Sequence, residues 1–201
     1  MIPPSHQTKI YFSAPVNKDP LTSLDYIRKI VEFCRQENIN LKILLTPSHA
    51  HQLEISAATG EWPSIENGKR ALVKILADDA ARHPDKQSFP LFDFSRYSNI
   101  TMEPLPAAGT HEEMKFYWDS SHFKDNVGDV VLDQLLNNSS QNRSIPDNFG
   151  VLLTADNIEG SLIQTREAQT LYRKQHPEDI KTIQTLVDDF KRENNISDQD
   201  H

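Results

Sequence analysis

Three observations predict an α/β fold built on a short parallel sheet with a C-terminal helical segment. Apolar stripes at helical spacing alternate along the chain with apolar runs of only a few residues. The run Leu41 to Leu45 follows a helical stripe after a tight polar turn, and the run Phe89 to Phe94 follows a second stripe after a proline. Helix, turn, apolar strand, helix, strand is the order of a parallel α/β unit.

Taken in order, Lys9 to Ser13 reads as a short strand after a Pro-rich start. Asp19-Pro20 reads as an N-cap followed by proline at the first helical position. Leu21, Leu24, Ile27, Ile30, Val31 and Cys34 then recur at helical spacing, with Asn38 as terminator. Leu41 to Leu45, a short apolar run ending at Thr46-Pro47, reads as a strand buried on both faces. A short helix is expected over His49 to Ala58, closed by Gly60. A longer one is expected over Ser64 to Arg82, with Ile65, Leu72, Ile75 and Leu76 inward and Gly68 breaking it. Phe89 to Phe94 is the second strand, and a long Pro-containing loop runs from Ser95 to Ser121. Loops of that length in compact domains are usually functional.

Val127, Val130, Val131, Leu135 and Leu136 mark the next helix. A polar linker from Asn137 to Asn148 leads to a weak strand, Val151 to Leu153. Ile158, Leu162, Leu171 and Tyr172 mark another helix, and Pro177 opens the last, with Ile180, Ile183, Leu186, Val187 and Phe190 inward. The boundaries are therefore 1–136 for the α/β portion, 137–193 for an appended strand and helical segment, and 194–201 for a disordered tail. Two firm strands and two weak ones fall short of the roughly five a parallel sheet usually has. Preceding residues or a second subunit are expected to cover an exposed sheet edge.

Composition narrows the function. An apolar fraction of 37% with 25% charged residues suits a globular domain rather than a disordered chain. The net charge of −8 and the lack of a basic stripe argue against a nucleic-acid partner. No apolar run approaches the ~20 residues of a membrane span, and Met1 to His6 lacks the pattern of a signal peptide, so the chain as written is expected in the cytoplasm. Cys34, the one cysteine, is expected to be a buried structural thiol.

The chemistry is concentrated in Phe116-Tyr117-Trp118-Asp119-Ser120-Ser121-His122-Phe123. An acid three residues before a histidine can orient the imidazole, as nucleophilic catalysis requires. D-x-x-H alone is more often a capping acid beside a partly exposed histidine; position after a strand, at the carboxyl end of the sheet, strengthens the case for a site. His49 follows the first strand and would point into the same crevice, although a satisfied structural histidine is the commoner outcome. His49 and His51 form an H-x-H pair that would face one side of a strand, but no third ligand stands at a metal-binding spacing. No metal and no cofactor are expected. Ser48, Ser120 and Ser121 read as caps or loop hydroxyls, and Glu112 and Glu113 as a solvated acidic patch.

Beyond D-x-x-H, segments in the same order across most of the chain resemble the C-terminal half of bacterial, often membrane-anchored SGNH (GDSL-like) hydrolase-like proteins. They are Leu44 to Ala50, Gly60 to Pro63, Lys69 to Val73, Phe92 to Tyr97, Thr101 to Pro104, Tyr117 to Phe123 and Asp147 to Val151. The resemblance implies part of a flavodoxin-like sheet, with His122 as general base, Asp119 as its orienter, and an O-acyl substrate. Apart from the resemblance, His49, Tyr117 and Trp118 are the candidates to line a substrate pocket, although aromatics such as Tyr117 and Trp118 more commonly enter a core. The family's G-x-S block is absent; Gly128-Asp129-Val130 is not one. The implied function is an ester hydrolase or O-acyl-transfer module that is inactive alone, its serine supplied by other residues or another chain. The alternative is a non-enzymatic binding or scaffolding domain of the same fold, and a weaker third is a metal-binding protein using His49 and His51. The expected partners are a small acylated substrate or another protein chain, with self-association through the sheet edge.

Overall fold

The computed structural model describes residues 22–106, 109–110, 112–137 and 148–194. Six helices surround a three-stranded sheet within these residues. Helix α1 spans Ser23–Gln36, strand β1 Ile43–Leu45, and helices α2 and α3 Ala50–Ala58 and Trp62–Arg82. Strand β2, Leu91–Asp93, precedes α4, Asp125–Leu136. Strand β3, Val151–Leu153, is followed by α5, Ile158–Gln175, and α6, Pro177–Glu193. The expected strand Lys9 to Ser13, the linker beyond Asn137 and the tail beyond Asn194 lie outside the described residues.

The architecture is α/β, and the sheet is mixed rather than wholly parallel. Strand β1 pairs parallel to β2 with Ile43 opposite Leu91 and Leu45 opposite Asp93. Strand β3 runs antiparallel on the other side of β2, with Leu153 opposite Leu91. The strands are also shorter than the apolar runs that signal them. All three residues of β1 are only half-buried, so this strand is not enclosed on both faces.

Period-two alternation divides the strands between two cores. Leu91 and Leu153, with Ile43, Leu45 and Val151 around them, meet Val31 and Cys34 of α1, Leu72, Val73, Ile75 and Leu76 of α3, and Ile158 and Leu162 of α5. On the opposite face Leu44 and Phe92 meet Val127, Val130, Val131 and Leu135 of α4, together with Phe94, Tyr117 and Phe149. A third cluster, around Leu53, Tyr97 and Tyr172, joins α2 to α5 and α6.

Several local expectations are corrected. The N-cap of α1 is Thr22, not Asp19: its hydroxyl accepts from the Asp25 amide while the Asp25 carboxylate accepts from the Thr22 amide at 2.9 Å, a capping box. Asn38 does end the helix, at φ +55°. Helix α3 begins at Trp62 with Pro63 in its first turn and runs unbroken through a buried Gly68, so that glycine is a packing position. Leu136, Leu171 and Leu186 are exposed, because each lies one step off the stripe its neighbours bury, and Phe190 is exposed in the last turn of α6.

Candidate functional site

The Asp119–His122 pair stands at the tip of a small hairpin. Tyr117 and Phe123 form an antiparallel bridge, the Trp118 amide donates to the His122 carbonyl at 2.8 Å, and the Lys124 amide donates to the Phe116 carbonyl at 2.8 Å. Within the tip, Asp119 Oδ1 accepts from the amides of Ser121 at 2.7 Å and His122 at 2.9 Å. This side-chain turn fixes the carboxylate first and thereby aims it at the ring. His122 Nδ1 lies 2.8 Å from Asp119 Oδ2 and 3.0 Å from Oδ1. The His122 contact, with the two amides, holds the Asp119 carboxyl below the ordinary carboxylate range. With Nδ1 donating to the carboxylate, Nε2 carries the free lone pair, and no described side chain engages it.

Two residues tie the base of the hairpin to the segment that follows β1. The Glu103 carboxylate accepts from the amides of Lys115, Phe116 (2.8 Å) and Tyr117 (3.2 Å), gathering the base of the hairpin. The Glu103 carbonyl accepts from His49 Nε2 at 2.7 Å. His49 is the N-cap of α2, its Nδ1 accepting from the His51 amide at 3.1 Å. Both ring nitrogens are therefore committed and the ring is neutral. Burial pushes its pKa below 6.5.

The residues expected to line a substrate pocket separate into two environments. His49 and Tyr117 are enclosed, their rings meeting edge to face at 5.0 Å between centroids. Together they form the packed footing of the hairpin. The Tyr117 hydroxyl is buried without a hydrogen-bond partner among the described residues, and burial raises its pKa. Trp118, by contrast, is 68% exposed and lies under the Lys124 ammonium, 4.5 Å from the ring centroid. The dyad is also open to solvent, with the His122 side chain 73% and the Asp119 side chain 57% exposed.

Other candidates are bound into structure. His51 Nδ1 meets Asp179 Oδ1 at 2.9 Å, and the Tyr172 hydroxyl donates to Asp179 Oδ2 at 2.8 Å, tying α2 to α5 and α6. Among the described residues no group of three or more His, Cys, Asp or Glu is placed to hold a metal ion. Cys34 is buried. Glu112 and Glu113 are exposed. No helix among the described residues is long and apolar enough to cross a membrane.

Sequence reasoning missed the buried polar groups on the α3 side of the sheet. Lys69 Nζ donates to Asp93 Oδ2 at 2.7 Å and to the Ser95 carbonyl at 2.9 Å, while Asp93 Oδ1 accepts from the Ser95 amide at 3.0 Å. A signal was present: in a strand, Asp93 must share a face with Leu91, so an acid was committed to the core and required a partner. Arg96 is buried and donates to the Ser161 hydroxyl and carbonyl. Burial lowers its pKa, with Asp93 opposing.

A cleft of about 720 Å³ opens at the other end of the sheet, beside Lys42, Phe89, Phe92 and Leu135. Two of its cations are already engaged: Lys42 caps α4 at the Leu135 carbonyl, and Arg35 pairs with Asp79 at 2.7 Å. Lying before the strands rather than after them, it cannot serve the dyad. Comparison with protein-family models, with curated proteins and with solved structures finds no match.

Proposed function

We propose that this chain supplies the base and its orienter to an SGNH-like ester hydrolase or O-acyltransferase, on part of a flavodoxin-like sheet, with the serine coming from elsewhere. The observation that carries this reading is the 2.8 Å contact of Asp119 with His122 Nδ1, with the carboxylate held by the amides of Ser121 and His122. In the reaction, His122 Nε2 takes the proton of a serine hydroxyl as its oxygen attacks the acyl carbonyl. The imidazolium formed is stabilised by Asp119 and returns the proton to the leaving alkoxide. A water or acceptor hydroxyl then releases the acyl group by the same route. Lack of a Gly-x-Ser block leaves the chain without a nucleophile and oxyanion donor set together, so alone it is inactive.

The exposure of both dyad side chains favours a second reading, a binding or scaffolding domain of the same fold. A fluorophosphonate probe, which reacts with activated serines, separates the two. The chain alone should show no adduct and negligible turnover of short-chain aryl esters. The protein isolated from its native source should carry an adduct on a serine outside these 201 residues, lost with His122→Ala. An adduct on Ser48, Ser120 or Ser121 lost with His122→Ala would place the nucleophile within this chain and overturn the inactive reading. No adduct in the native-source protein, or one indifferent to His122→Ala, would favour the scaffold.

A further inference from the structure

A second crevice, of about 170 Å³, opens where β1 and β2 end, between the sheet and helices α2 and α3. Neither Asp119 nor His122 lines it, so it is independent of the dyad. Leu45, Leu53 and Ile65 form its apolar wall, and Ser48, Lys69 and Ser95 bring polar groups to it. The volume falls below the roughly 300–1,000 Å³ of clefts for drug-sized ligands. Its occupant is therefore only a few heavy atoms in size.

Charge and donor count define that occupant. The Lys69 ammonium has three N–H donors, of which Asp93 and the Ser95 carbonyl take two. Lys69 is buried, and the third donor has no acceptor among the described residues. The Ser95 hydroxyl approaches that of Ser48 at 3.4 Å, a weak contact that leaves the Ser48 proton available. Among the described residues Asp93 is also the one carboxylate acting on Arg96, whose hydrogen bonds go to the neutral Ser161. Two buried cations thus share a single anion. An uncompensated buried charge is costly, and a second anion at the crevice relieves it.

We propose that this crevice binds a small monocarboxylate with a short aliphatic tail, of the size of propionate or butyrate. The carboxylate receives the third Lys69 N–H and the Ser48 hydroxyl. The tail lies on Leu45, Leu53 and Ile65. Binding involves no covalent step, and the ligand replaces solvent in the crevice.

The test is a titration of the 201-residue chain with butyrate at constant ionic strength, followed by amide shifts and ligand-observed saturation transfer, with butyramide as the neutral isostere. Saturable binding in the millimolar range is expected, with shifts at Ser48, Leu53 and Ser95. Butyramide and the Ser48→Ala variant should each bind about tenfold more weakly, as loss of a hydrogen bond to a charged group predicts. Lys69→Met should abolish binding. Should that variant fail to fold, Ser48→Leu, which fills the crevice from a half-exposed position, should abolish it instead. No saturable binding to roughly 50 mM butyrate, well above the millimolar range expected, would overturn the assignment. So would equal affinity for butyramide, or binding unchanged in Ser48→Ala.

Discussion

Replacing Asp93 by asparagine should be among the most damaging single changes to this protein. The Asp93 side chain is 1% and the Lys69 side chain 6% exposed, and they meet at 2.7 Å. Asparagine preserves the shape and can still accept from the Ser95 amide, but it removes the charge that answers Lys69 and acts on Arg96. Breaking a buried pair from one side costs about 3–5 kcal/mol, because the remaining charge stays in the interior. At ~2–4 °C per kcal/mol for a domain of this size, the midpoint of thermal unfolding should fall by roughly 6–20 °C. Urea denaturation followed by circular dichroism measures the same loss through the shift in midpoint at constant slope. Lys69→Met should cost less, since the stranded Asp93 keeps the Ser95 amide and the field of Arg96. The double change Lys69→Met with Asp93→Leu should recover part of the Asp93→Asn loss. A cost below about 1 kcal/mol for Asp93→Asn would show that water reaches the pair and would refute the argument from burial.

Gly150→Ala should cost about 2–5 kcal/mol in the same assay: the position has φ +82°, and an added Cβ would come within 2.4 Å of the Phe94 ring. An effect under ~1 kcal/mol would mean that β3 enters the sheet by another path. Glu66 should contribute to acid sensitivity. Its hydrogen bonds with Arg166 hold the carboxyl below its ordinary value of 4.5, against the opposing effect of burial. A depressed folded pKa gives stability that is present above 4.5 and lost as pH falls through the folded value, so Glu66→Gln should flatten stability against pH in that window. His49, a buried base with its pKa lowered, should keep the proton shifts of a neutral ring on acidification below 6.5; protonation at its ordinary value would contradict its two committed nitrogens.

The sequence marks elements where a signal is local and repeated. Ile183 and Val187, spaced for one face behind Pro177, identify α6, and the Asn38 terminator closes α1. The Thr22–Asp25 capping box was equally readable, but Asp19-Pro20 offers a start signal of similar strength nearby. Strand direction has no local signature. Val151 to Leu153 looks the same from either end, and its antiparallel placement depends on contacts with β2. In the candidate site, Asp119 and His122 were legible because they lie three residues apart on one turn. Glu103 gathers amides 12 to 14 residues away, and Lys69 meets Asp93 across 24 residues, so no spacing rule reaches either. The enclosure of His49 and Tyr117 likewise follows from their meeting each other, which only the folded chain decides.

The role given to the dyad depends on which nitrogen of His122 carries the proton in the neutral ring. Long-range ¹H–¹⁵N correlation at about pH 9, where an ordinary imidazole is neutral, reads this directly. Asp119 should hold the proton on Nδ1 and leave Nε2 unprotonated, and Asp119→Ala should move the population toward the Nε2–H form. A ring already in the Nε2–H form, or a tautomer balance unchanged by Asp119→Ala, would contradict the assignment of His122 as a base oriented by Asp119.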